Sequence, residues 1–205
     1  MSFQKVMCKM TIVRKLAAAS AVSIGLALVL MATMPQPGPG VMYQPDPNYT
    51  VPAAAPSFAA PSKRSTVTDF TFTDATGAPR RISAYRGKVV LVSFWATWCS
   101  PCIKELPSLS MLQLKMAGQP FEVLALSQDR GGADVVKAFY DQQKITNLKT
   151  YLDRDGTAGR TLGLRGLPTN ILIDAAGREV VRIEGVSQWD DAEMVASIRR
   201  VLEGG

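Results

Sequence analysis

Three hydrophobic regimes follow one another along the chain. Residues 16–34 are apolar or small and carry no charge; as an α-helix they would reach ~28 Å, about the hydrocarbon thickness of a bilayer. Residues 35–66 lose all periodicity, and eight of the thirteen prolines fall between Pro35 and Pro61. Proline fixes φ and removes backbone donors, so this stretch reads as an extended, exposed linker. Periodic patterns begin at residue 67. Phe70 and Phe72 alternate with polar residues over 68–73, the pattern of a half-buried strand. Residues 88–95 and 121–127 are continuous apolar runs, as expected of strands buried on both faces. Ile103, Leu106, Leu109, Leu112, Leu114 and Met116 predict a helix after residue 102, kinked at Pro107. Val135, Val136, Phe139 and Tyr140 mark a short helix over 134–143. Strands at 169–174 and 179–184 flank the hairpin turn Ala175-Ala176-Gly177. An amphipathic helix, with Asp190 and Asp191 at its start and Arg199 and Arg200 near its end, closes the chain over 190–202. The sum is an α/β fold: a mixed central sheet flanked by helices, in a domain spanning 67–205.

The 205 residues are 47% hydrophobic and 20% charged, an ordinary globular balance. A formal net charge of +6 invites a nucleic-acid partner, but the charge is not in the domain. Lys5, Lys9, Arg14 and Lys15 precede the apolar run with no acidic residue among them, and residues 67–205 are nearly neutral. No nucleic acid is therefore expected. The basic start instead predicts a topology: N-terminus in the cytoplasm, residues 1–34 as a signal-anchor, and the domain across the membrane. A cleaved signal with a soluble periplasmic product is the alternative. Against it, no small-x-small site directly follows the apolar run, which also exceeds a normal signal core. The chain has no histidine, which excludes hydrolases with a His base, His-ligated zinc sites and His-ligated haem.

Chemistry concentrates at Cys99-Ser100-Pro101-Cys102, between a buried strand and a helix. A helix N-terminus offers unpaired N–H groups and the positive dipole end, which favour thiolate over thiol. Cys99 is thereby expected as the nucleophile and Cys102, one turn inward, as the thiol that resolves a mixed disulfide. Half of a structural zinc site is the competing reading, but the third cysteine, Cys8, lies before the apolar run and too few ligands remain. No metal and no cofactor beyond a redox-active Cys99–Cys102 disulfide is expected.

Trp98-Cys99-Ser100-Pro101-Cys102, Pro107, and Gly166-Leu167-Pro168-Thr169 before the final hairpin resemble the thioredoxin superfamily. More narrowly, they are similar to membrane-tethered thiol–disulfide oxidoreductases of the TlpA/ResA type. The resemblance covers about the last two-thirds of the chain and implies a thioredoxin-like fold with an N-terminal strand extension and a central insertion near 129–152. It implies that Pro168 is a cis-proline facing the disulfide and that Leu167 offers its backbone to substrate. It gives Trp98 a place on the docking surface, with core packing as the alternative. Glu105 matches the acidic residue that follows the motif in the ResA group. At i+3 from Cys102 it can share a helix face with that thiol and exchange a proton with it; an ordinary solvated helix residue is the alternative. Thioredoxin itself carries a buried aspartate where this chain has Ser93, so proton handling must differ. The partners implied are a DsbD/CcdA-type membrane electron donor and protein disulfide substrates, either apocytochrome c or copper-assembly proteins of cytochrome oxidase. Thr169 stands where cytochrome-maturation thioredoxins carry glutamate, which weakens a strictly cytochrome-specific role.

Two rivals share the fold. A peroxiredoxin-like thiol peroxidase expects threonine three residues before a lone reactive cysteine, where this chain has Ala96 and a pair. A Sco-like copper metallochaperone expects a histidine ligand, which is missing.

Overall fold

The computed structural model describes Phe58 and residues 60–204. Strands β1 (Thr71–Asp74) and β2 (Pro79–Arg81) form the N-terminal extension, followed by β3 (Val89–Trp95), α1 (Ser100–Lys115), β4 (Phe121–Ser127) and α2 (Ala133–Gln143). Then come β5 (Tyr151–Leu152), α3 (Thr157–Thr161), β6 (Thr169–Ile173), β7 (Glu179–Glu184) and α4 (Ala192–Leu202). The strands make one mixed sheet in the order β2-β1-β5-β4-β3-β6-β7. β3 pairs parallel with β4 and antiparallel with β6, so the two apolar runs form the centre, buried on both faces.

Alternation along each strand divides the core in two. On one face, Leu91, Trp95, Val123 and Ala125 pack with Leu106, Leu109 and Leu112 of α1, Val136 and Tyr140 of α2, and Ile198 of α4. On the other, Val90, Val92, Phe94, Leu124 and Leu126 are closed over by Phe70, Phe72, Ile82 and, from α3, Ala158. The predicted mixed sheet flanked by helices is the fold observed.

The departures have local causes. Strands β2 and β5 and helix α3 escape the sequence pattern because three exposed, two and five residues carry no readable period. Leu114 and Val135, expected on apolar helix faces, are exposed; Leu112 with Met116, and Val136 with Tyr140, hold the buried phase instead. Helix α1 runs unbroken through Pro107. Asp191 lies outside α4 as its N-cap, accepting from the Glu193 N–H at 2.9 Å.

The end of the stretch read as linker is bonded into the domain. The Ser65 carbonyl accepts from Glu179 N–H (2.8 Å), Val67 N–H donates to the Gly177 carbonyl (3.0 Å), and Arg64 pairs with Asp174. The contacts are with the β6–β7 turn and the first residue of β7, and the turn needs Gly177 at φ +76°. That turn follows Ile173, which pairs with Val90 near the start of β3, at the opposite end of the strand from Trp95. The apolar segment 16–34 and the anchor expected of it lie outside the described residues. Among the described residues, no helix is long and apolar enough to cross a membrane.

Candidate active site

Strand β3 delivers the chain into the loop 96–98, and Cys99 caps the N-terminus of α1 with extended backbone. Cys99 and Cys102 are joined by a disulfide, Cα–Cα 5.3 Å, so the structure is that of the oxidised protein. The Cys102 N–H donates to Cys99 Sγ at 3.3 Å. On reduction, that sulfur is the one positioned to receive negative charge from the helix start. Cys99 is 6% exposed and Cys102 1%, so the first sulfur is the one nearer solvent. Trp98 is 70% exposed; core packing is ruled out as its role.

The loop is held from outside. Asp129, buried two residues beyond β4, accepts from the Thr97 N–H (2.9 Å) and hydroxyl (2.7 Å) and from the Ser127 hydroxyl (2.7 Å). Gln128 N–H donates to the Trp95 carbonyl at 2.9 Å. The last residue of β3 and the start of the cysteine loop are thus fixed to the chain leaving β4.

The Leu167–Pro168 peptide is cis. Pairing of Phe94 with Thr169 places it at the same end of the sheet as the loop that leaves Trp95. The Pro168 carbonyl accepts from Gly185 N–H (2.9 Å), and Thr169 Oγ1 donates to the Gly166 carbonyl (2.7 Å). No hydrogen bond among the described residues engages the Leu167 backbone.

Glu105 is the departure from an ordinary helix residue. It is 1% exposed, so the solvated alternative is overturned. Its carboxylate accepts from Asn170 Nδ2 at 2.9 and 3.0 Å, from Trp189 Nε1 at 2.5 Å and from the Ser187 N–H at 3.0 Å. Burial pushes the carboxyl up to about 7 against these hydrogen bonds, which favour the charged form and pull the other way. None of the three donors bears a charge. A buried acid with its pKa pushed up toward neutrality, one turn from Cys102, can take and return a proton.

Asn170, Trp189 and Asp129 were not singled out from the sequence. Asn170 left a signal: it is the lone amide in the apolar run that forms β6, and a buried amide demands a partner. Asp129 and Trp189 sit in loops where nothing in the local pattern sets them apart.

A thioredoxin-like sheet, a disulfide at the start of α1 and a cis-proline at the same end of the sheet define a thiol–disulfide oxidoreductase fold. Residues 55–182 match the AhpC/TSA family, and the chain belongs to that family. It is 32% identical over 125 residues to thiol-disulfide oxidoreductase ResA of Bacillus thuringiensis subsp. konkukian, covering 61% of this chain and 71% of that one. With ResA of Geobacillus kaustophilus it shares 35% over 129 residues, 63% and 73% of the two chains. Among solved structures it is similar to a Chlorobium tepidum protein described as thiol:disulfide interchange protein DsbE. That match has a TM-score of 0.60 and 28% identity over 68% of this chain and 97% of that one. The exposed lipoprotein thioredoxin of Streptococcus pneumoniae matches with a TM-score of 0.53 and 29% identity, covering 67% of this chain and all of that one. The protein is a thiol–disulfide oxidoreductase of the ResA/DsbE type.

Proposed function

We propose that the protein reduces protein disulfides in the periplasm, held to the inner membrane by residues 1–34. Support for the location comes from the basic start and the uncharged run behind it. The clients in this reading are apocytochrome c or copper-assembly proteins, and the electrons come from a DsbD/CcdA-type membrane dithiol. This assignment rests on the likeness to ResA proteins.

The observation that carries the reductase chemistry is Glu105, buried with neutral donors only and three residues from Cys102. In the reduced protein the Cys99 thiolate attacks one sulfur of the client disulfide. The client S–S bond breaks, a Cys99–client disulfide forms, and the departing client thiolate takes up a proton. Glu105 then accepts the Cys102 thiol proton, and the Cys102 thiolate attacks Cys99 Sγ. This closes the Cys99–Cys102 disulfide and expels the second client thiolate, which is protonated in turn. Two electrons pass from the enzyme to the client with the Cys102 proton, relayed by Glu105; the second proton comes from solvent, replacing the one Cys99 lost on ionising, and the membrane dithiol restores the reduced pair. Leu167 and Trp98 hold the client segment: the first through its uncommitted backbone groups, the second through its exposed ring.

Cys102→Ser tests the clients by stalling the mixed disulfide on Cys99. Recovery of apocytochrome c or copper-assembly proteins is expected; trapping neither overturns the substrate class. Glu105→Gln tests the proton step. Resolution is expected to slow about a hundredfold near neutral pH, and an unchanged rate and thiol titration would remove the role of Glu105.

A further inference from the structure

Glu105 is reached by one side chain that does nothing else. Asn170 lies on β6, fully buried, and its amide nitrogen spans both carboxylate oxygens at 2.9 and 3.0 Å. Its amide oxygen has no partner. Directly across the β3–β6 ladder stands Ser93, also fully buried, whose hydroxyl has none either. Opposed residues of an antiparallel pair project to the same face. An orphaned acceptor therefore faces an orphaned hydroxyl in the interior beneath α1.

We infer that Asn170 is a positioning residue that sets the proton affinity of Glu105 by holding the carboxylate, with N–H contacts to both oxygens, more strongly than it can hold the acid. An amide carries a donor end and an acceptor end. Toward a carboxylate it presents its N–H groups, as observed. Toward a protonated carboxyl, a half-turn about its last bond presents the oxygen, which accepts the acid O–H. The turn breaks no other hydrogen bond of the Asn170 side chain, which makes only these two. The other defined contacts of Glu105 cannot reverse: Trp189 Nε1 and the Ser187 N–H only donate. The groups facing it are Cys102 and Ser108 from its own helix, Asn170 from β6, and Ser187 and Trp189 from the loop before α4. Among them only Cys102 is ionisable, and only once the disulfide is reduced. The inference rests on Glu105 as the proton acceptor for Cys102, and its test separates the two ideas.

Reduced protein carrying Asn170→Ala, Asn170→Thr or Glu105→Gln is compared with the unaltered chain by two measurements. One is the carbon-13 titration of the Glu105 carboxyl, assigned by its loss in Glu105→Gln. The other is the pH profile of oxidised-glutathione reduction. Without its amide donors the Glu105 midpoint is expected to rise by about one unit or more. The alkaline-rising limb should move with it, leaving the rate near neutral pH about fivefold lower and recovered near pH 9. Threonine, with one hydroxyl donor, should give a smaller shift in the same direction and covers the case in which alanine does not fold. A folded Asn170 variant with midpoint and limb both unmoved overturns the inference. A midpoint that moves while the limb stays, or a limb that survives Glu105→Gln, overturns the role of Glu105 instead and leaves the coupling to Asn170 standing.

Discussion

Two buried glutamates lie on opposite faces of one sheet, and burial drives both upward in pKa. Glu105, beneath α1, receives hydrogen bonds only from neutral groups and ends near 7. Glu122, on β4, has burial offset by Lys149 at 2.8 Å, Tyr151 at 2.9 Å and Lys88 at 3.3 Å, and ends below its ordinary value. Glu105 is the deeper of the two, and it also lacks the charged donors that turn the direction at Glu122. One carboxyl stays ionised and braces the sheet. The other is poised to exchange a proton, and it is the one beside the cysteines.

The largest test concerns stability against pH. The folded pKa of Glu105 is raised from 4.5 to about 7, so the folded protein holds its proton longer than the unfolded chain. Stability is full below the unfolded value and falls as pH climbs to about 7, by about 3 kcal/mol from this group. Urea unfolding of Glu105→Gln should lose that slope, and parallel curves for the two proteins would refute the contrast. Asp129 offers a second carboxylate fed only by neutral donors. Asp129→Ala strands the Thr97 and Ser127 groups and should cost about 2 kcal/mol while slowing attack by Cys99. Normal exchange kinetics would show that the clamp does not position the loop.

Lys149→Met removes a charged donor and moves Glu122 toward the situation of Glu105. Glu122 contributes stability above its ordinary pKa that is lost as pH falls, so the variant should be weaker near neutrality and flatter into acid. The two lysines are half-exposed or more, which limits the loss to about 1 kcal/mol. A stability unchanged at pH 7 would mean that Lys88 alone suffices. Trp98→Ala should shift stability by less than about 0.5 kcal/mol, because the ring is already in water. It should weaken binding of a protein disulfide severalfold and leave a small disulfide unaffected; equal effects on both would remove Trp98 from the docking surface.

What could be read beforehand follows from how local each signal is. The runs at 88–95 and 121–127 could only be central strands, and Ala175-Ala176-Gly177 between two β-branched stretches could only be a hairpin. Cys99 and Cys102 are neighbours in sequence, so their pairing needed no fold. Glu105 is different. Its partners Asn170, Ser187 and Trp189 are more than sixty positions away, and a glutamate on a helix ordinarily faces water. Only the assembled sheet shows that this one turns inward. Strand β5 is invisible for another reason: two residues hold no period, and it exists because β1 and β4 flank it.

The stitching of residues 65–67 to the β6–β7 turn gives the domain a polarity of attachment. The chain joins the sheet at one pole, while Cys99, Trp98 and the cis peptide occupy the other. A pull applied at residue 65 acts on the pole remote from the disulfide. A chain coupled through its N-terminal side to an electrode or a chip should present its cysteines outward, with no reorientation needed for electrons to be collected from a soluble thiol.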